Sequence, residues 1–434
     1  MIVNNKIKKI FSNTLVKDTG AYTFLYILDK TIPFVILPII TRFITKEEMG
    51  TWILFQSIFS IMIPLLSLCF SNTITIKYFK QTREEFIVYL NQIFLYAFIL
   101  FGVSLLLVLS FHSYIERIID FSEKWQYIFC LLVLFDQFIL IRMALWRMDR
   151  KLKLFSLFTI SYTLLQNSLS LLAVSIYGLG WEGLVYSKVM SYGVFFFISL
   201  MSFNKDRLIK LELKIRKELL PDILKISIPI AIHRFGTWLG DSASRLIINF
   251  LIGAAATGSY GIAAVFSVVI TVILDSFNKA YVPYLYDKLA KINSDIKIHL
   301  VKLTYICYIL IFILAIFVGL FGYFGVEFIY GKQYADTKPI IILLSCSAAI
   351  NGLYKLHVNY IFFTEKTHLI MRVTFLSGTF NCLFSFFMVK YYGMIGAAFS
   401  QLITGILVYL LVFYTANKLY PLPWFDAFKN GKRV

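Results

Sequence analysis

Long apolar stretches, broken only by short polar ones, follow one another along this chain from near residue 14 to near residue 417. An apolar helix of about 20 residues crosses the hydrocarbon core of a bilayer. The pattern predicts twelve such spans, at 14–44, 49–71, 85–111, 124–147, 154–178, 181–203, 221–252, 257–281, 299–325, 338–363, 367–389 and 393–417. The first and seventh are long enough to tilt or to project into water. The chain therefore reads as an all-α integral membrane protein.

The second half repeats the first. Thr45-Lys-Glu-Glu-Met-Gly-Thr-Trp52, after the first span, returns as Gly253-Ala-Ala-Ala-Thr-Gly-Ser-Tyr260 after the seventh, with Gly50 over Gly258 and Trp52 over Tyr260. Gly180-x-x-Gly183-x-x-Tyr186-Ser187 returns as Gly393-x-x-Gly396-x-x-Phe399-Ser400, opening the last span of each half. Glycine at Gly50 and Gly258 is expected to permit the tight turn of a helix hairpin. Because each half holds an even number of spans, the copies point the same way, the signature of a two-lobed transporter built from parallel repeats. The lobes are residues 1–203 and 221–434. Between them 204–220, ended by Pro221, alternates charged and apolar residues like an amphipathic segment on a membrane surface. Shorter amphipathic pieces, Ser71 to Thr82 and Tyr284 to Ile292, follow the second span of each lobe.

Charge sets the orientation. Of a net charge of +18, most falls on alternate connections: before the first span, after the second, fourth, sixth and eighth, and in the tail. Cytoplasmic loops carry such an excess, so both termini are expected in the cytoplasm. Spread in this way, the charge is no nucleic-acid footprint. The basic N-terminus lacks a small-residue cleavage site and reads as an amphipathic foot retained on the mature protein. Five scattered cysteines inside predicted spans read as small packing residues, and no metal-ligand spacing occurs among the Cys and His residues. The outer loops are too short to carry an enzyme active site, so no catalytic residue is assigned.

Ionisable side chains at membrane depth carry the candidate chemistry, since each is costly unless it faces protein or water. In the seventh span Arg234, Trp238, Asp241 and Arg245 are spaced i, i+4, i+7 and i+11, one stripe of a continuous helix. The stripe is either a salt-bridge network joining the lobes or a ligand-facing wall; two bases against one acid favour the wall. The repeat places Tyr26 opposite Arg234 and Lys30 opposite Trp238, with Asp29 beside Lys30 about 100° around the helix. Asp136 lies mid-span with no route to water, and suits a proton or cation site. Arg142 is nearer the inner face and can equally snorkel. Arg42 reads as an interfacial anchor, and Asp275, Lys355, His357 and Arg372 as solvated helix ends. Lys30, Arg142, Arg234 and Arg245 together suit a diphosphate, with Asp29, Asp136 and Asp241 for ion coupling or charge pairing and Tyr26 and Trp238 for stacking on sugar rings.

The Phe-Ile-(x)5-Gly-x-Trp and Phe-Leu-(x)6-Gly-x-Tyr joins, the two Gly-x-x-Gly-x-x-aromatic-Ser openings and the basic inner linker resemble the polysaccharide-transporter branch of the multidrug/oligosaccharidyl-lipid/polysaccharide exporter superfamily, which includes the O-antigen flippases of Wzx type. The resemblance covers nearly the whole chain. It implies a V-shaped, MATE-like molecule of two six-helix lobes that alternates between inward and outward openings. Such a protein moves an undecaprenyl-diphosphate-linked O-antigen or capsule repeat unit across the bacterial inner membrane through a cationic cavity. It implies no cofactor beyond coupling protons or sodium. Its partners would be membrane lipids, a glycan polymerase and chain-length proteins, with no nucleic acid. A cation-coupled drug or metabolite antiporter is the alternative within the superfamily, although an organic-cation pump is expected to offer more acid than base. A membrane glycan polymerase or ligase, from another class, is expected to need a larger outer loop.

Overall fold

The computed structural model describes residues 27–29, 31–210, 215–291, 293–364 and 367–424, and contains helices and no strand among them. Helix α1 covers 31–40. It is followed by α2 (Lys46–Ser67), α3 (Phe70–Lys77), α4 (Arg83–Ile119), α5 (Glu123–Met148), α6 (Leu152–Ser175) and α7 (Gly180–Lys205). Then come α8 (Leu220–Asp241), α9 (Ala243–Leu251), α10 (Ala254–Ala290), α11 (Ser294–Tyr330), α12 (Lys338–Phe363) and α13 (Thr367–Leu419). Nine helices among the described residues are long and apolar enough to cross a membrane. One of them holds two predicted spans, since α13 breaks at Gly393, where φ is 62°. Most of the first predicted span, with Tyr26 and Lys30, lies outside the described residues.

The chain forms two compact units. The first holds the described residues up to Ile44 together with Phe55–Phe235, the second Thr45–Leu54 together with Gly236–Val434. The core of the first is aromatic: Phe94 stacks on Phe138 at 4.7 Å, and Phe203, Tyr89, Phe70 and Ile223 close around them. Within lipid each backbone group must find its partner inside the protein, which helices provide. Their serines and threonines turn inward for the same reason, as when Ser187 donates to the Gly183 carbonyl and Ser199 to that of Phe195, both at 2.7 Å.

The two amphipathic pieces after the second and eighth spans differ. Leu68 and Cys69, both left-handed, end α2 and set α3 apart as a short helix, whereas α10 runs on without a break to Ala290. Lys77 of α3 pairs with Asp222 at 2.7 Å, and Thr73 bonds Ser227 at 2.8 Å, tying α3 to the start of α8 inside the first unit. Buried Asn91 and Gln92 hold the described parts of the connection after α7. Asn91 donates to the Leu208 carbonyl and accepts from the Lys210 amide, both at 2.8 Å, and Gln92 accepts from the Arg216 amide at 2.9 Å.

In the second unit the joins at Gly50 and Gly258 are not the tight turns the sequence predicts. Both glycines lie inside helices, and they are needed because two backbones meet there. A Cβ on Gly50 would stand 1.7 Å from the Ala254 carbonyl oxygen, and one on Gly258 2.3 Å from that of Lys46. Asp336 secures the same contact, pairing with Lys46 at 2.9 Å and accepting from Ser259 at 3.0 Å.

Candidate functional site

The first unit encloses a polar centre built by α2, α5, α6 and α7. Asp136 of α5 is 8% exposed and Lys188 of α7 is 5% exposed. Lys188 donates to the Gln56 side chain at 2.7 Å, with its ammonium 4.1 Å from the centre of the Phe59 ring and 5.4 Å from that of Tyr192. Asp136 lies within electrostatic reach of Tyr192 and Lys188. Tyr162 packs edge-on against Tyr192 at 5.4 Å and bonds Gln166 at 2.8 Å. Next to it on α6, Thr163 donates to half-buried Asp29. Asp29 and Asp136, which the sequence singles out, are therefore set on one polar layer of tyrosine, threonine and amide side chains. Lys188, Gln56, Tyr162, Thr163 and Tyr192 are members that the sequence reading misses.

Arg142 is elsewhere in this unit. It is 1% exposed, has its guanidinium carbon 4.4 Å from the centre of the Trp146 ring and pairs with Asp206, while its Nε and Nη1 have no hydrogen-bond partner among the described residues. Arg234, on α8, is exposed and lies within electrostatic reach of Cys69.

The stripe predicted for the seventh span is interrupted. The helix stops at Asp241 and a second begins at Ala243, so Arg245 is carried by α9 and not by the helix that bears Arg234, Trp238 and Asp241. The break costs α8 its last intrahelical bonds, and Asn381 of α13 answers by donating to the Gly240 carbonyl at 2.9 Å. Gly236 and Gly378 permit that approach, since a Cβ on Gly378 would lie 2.4 Å from the Gly236 oxygen. Asn381 in turn accepts from Ser400 and Thr404 at 3.0 and 3.1 Å.

Within the second unit Trp238 is half-buried and Asp241 exposed, and Asp241 feels both Arg245 and Lys355. Asp241 and Arg245 interact at a distance, without ion-pair contact, and the buried Nε of Arg245 has no hydrogen-bond partner among the described residues. Lys355 pairs with Asp275, and Asn359 bonds Asn278 at 2.8 Å between the same two helices. His357 corrects the expectation of a solvated helix end. It is 1% exposed and bonded to Tyr308, which also bonds Tyr409 at 2.9 Å, and Phe413 and Trp424 close over the ring. No group of three or more His, Cys, Asp or Glu side chains suited to a metal occurs among the described residues.

Known proteins can be set beside this geometry. A protein of the Lsg locus of Haemophilus influenzae is 23% identical over 363 residues, covering 83% of this chain and 88% of the relative. In fold the chain is similar to a multidrug resistance MATE family transporter of the MOP superfamily in its inward-facing conformation, with a TM-score of 0.70 at 13% identity, covering 94% of this chain and 96% of that one. It is also similar to the lipid II flippase MurJ in an inward closed conformation, with a TM-score of 0.61 at 17% identity, covering 93% of this chain and 87% of that one. These likenesses establish a MATE-like membrane fold. The family model described as polysaccharide biosynthesis protein matches residues 15–289, well over half of the sequence, and the chain belongs to that family of multi-span membrane proteins.

Proposed function

We propose that this protein is a flippase for a polyprenyl-diphosphate-linked oligosaccharide, the repeat unit of an O-antigen or capsule, which it moves from the cytoplasmic to the outer leaflet of a bacterial inner membrane by alternating access. Both termini are cytoplasmic in this reading, and it follows from the family, from the one-sided distribution of basic loops and from the bases held at membrane depth. The observation that carries it is Arg245, a guanidinium on a short apolar helix whose buried Nε has no hydrogen-bond partner among the described residues. Multiply charged phosphate oxygens are the partner such a group suits, because they answer both its charge and its forked donors.

Arg245 and Arg234 take the diphosphate, with Lys30 in the same role, and Trp238 and Tyr26 meet the sugars. Arg142 has its charge answered by Asp206 and is set apart from this role. Asp29 and Asp136 couple the cycle to protons or sodium. Asp241 tempers the charge of Arg245 until the substrate arrives.

The test is flipping of a labelled lipid-linked oligosaccharide in vesicles holding the purified full chain. Arg245→Ala is expected to reduce the rate at least tenfold while the protein still inserts, and Arg245→Lys to keep part of it, since the charge survives and the forked geometry does not. Full activity in both Arg245→Ala and Arg234→Ala would remove the diphosphate role. Transport of organic cations in place of the lipid would favour an antiporter.

A further inference from the structure

A cavity of about 700 Å3 opens in the first unit where three connections meet: the turn into α4, the α5–α6 turn and the residues following α7. Four bases line it, Arg83, Lys151, Lys205 and Arg207, against two acids, Asp149 and Asp206. Both acids are already answered. Tyr78 donates to Asp149, with Lys151 3.1 Å away, and Arg142 reaches Asp206 from within the core. Burial first, and then the bond to Asp149, push the Tyr78 phenol up to about 12, so it stays a neutral donor at any physiological pH. Arg83, Lys205 and Arg207 are exposed and form no ion pair among the described residues.

One buried polar atom of the cavity wall is left without a partner among the described residues. It is the side-chain oxygen of Gln81, and an amide can present its NH2 at the same place by rotating. Arg142, which pairs with Asp206 of the lining, has Nε and Nη1 without a partner among the described residues. Two arginines at the helix ends, Arg150 and Arg207, hold left-handed backbones at φ 55° and 54°, where glycine is the usual residue. Phe79, 75% exposed, packs beside Tyr78 of the lining, their ring centres 4.9 Å apart. All three connections lie on the side of the membrane that the basic loops mark as cytoplasmic.

We infer that this cavity is a binding site for the phosphate headgroup of an anionic membrane lipid, with Arg83 and Arg207 on the phosphate oxygens and Phe79 against the acyl chains. Basic pockets at the cytoplasmic ends of membrane helices suit such headgroups, and an exposed ring at interface depth adds a contact that a soluble phosphate cannot make. The site shares no residue with those proposed above for the diphosphate, and the inference does not rest on the glycan reading.

The test is native mass spectrometry and thermal unfolding of the full chain in detergent, titrated with phosphatidylglycerol, with phosphatidylcholine, or with inorganic phosphate and pyrophosphate. The intact protein is expected to bind phosphatidylglycerol and be stabilised by it, and not by phosphatidylcholine. The Arg83→Gln/Arg207→Gln variant, altered at two exposed positions, is expected to bind it roughly twenty-fivefold more weakly, about fivefold for each base removed. Equal binding by variant and parent would overturn the site. Stabilisation by inorganic phosphate or pyrophosphate matching that by phosphatidylglycerol would overturn its assignment to a lipid.

Discussion

A lysine and an aspartate enclosed together in the first unit can be treated as a thermodynamic pair. Each is buried and feels the other's charge without ion-pair contact, so removing one leaves the other less well answered, whereas removing both leaves a neutral cavity. Lys188→Met and Asp136→Asn are each expected to lower the thermal stability of the purified protein, and the double variant to recover most of the loss. Losses that simply add would show that the two side chains do not feel one another. If Asp136 also couples transport, Asp136→Asn is expected to flatten the dependence of flipping on pH and sodium. Asp136 is legible in the sequence because an aspartate mid-span has no route to water. Lys188 is not, because a long side chain near the start of a span reads as one that snorkels. Only the packing of Gln56, Phe59 and Tyr192 around its ammonium shows that it stays inside. His357 escapes for a similar reason: its place near a helix end suggests water, and the side chains of α11 and α13 exclude it.

At the scale of elements, hydrophobic runs make nearly every described span legible, and the repeat shows where the halves correspond. What the sequence hides is where a helix breaks. The seventh span contains no proline after Pro229, and beside the stop at Ser242 it is Asn381, distant in sequence, that takes the Gly240 carbonyl. The Gly50 and Gly258 positions stand out as a repeat, but their purpose is close packing of α2 on α10, a tertiary fact. Gly50→Ala is accordingly expected to force the two backbones apart and destabilise the protein by about 1–3 kcal/mol. Gly102 gives a matched control, since a Cβ there meets nothing within 4 Å. Alanine at Gly102 should be neutral or raise stability by up to about 1 kcal/mol through helix propensity. Thermal unfolding of the two variants side by side checks this. Equal behaviour would mean that the close approach of α2 and α10 does not bear on stability.

For the whole molecule, the contact of α2 with α10 inside the second unit bears on how a flippase would work. Gly50 and Gly258 follow the first spans of the two sequence repeats, and Asp336 holds Lys46 and Ser259 together beside them. Alternating access requires repeated halves to part on one face of the membrane while closing on the other. The contact comprises two glycine backbones, one carboxylate and Ile53 packed against Gly261, and a link across it should arrest any cycle in which it opens. Cysteines at Thr51 and Ser259, in a background lacking the five native cysteines, are expected to form a disulfide under mild oxidation. The bond should stop flipping, and reduction should restore it. Thr51 and Ser259 follow the two glycines directly, so the link tests the contact without replacing either glycine. Flipping at an unchanged rate with the cross-link complete would show that α2 and α10 stay together throughout the cycle, and the moving contact would then have to be sought elsewhere in the fold.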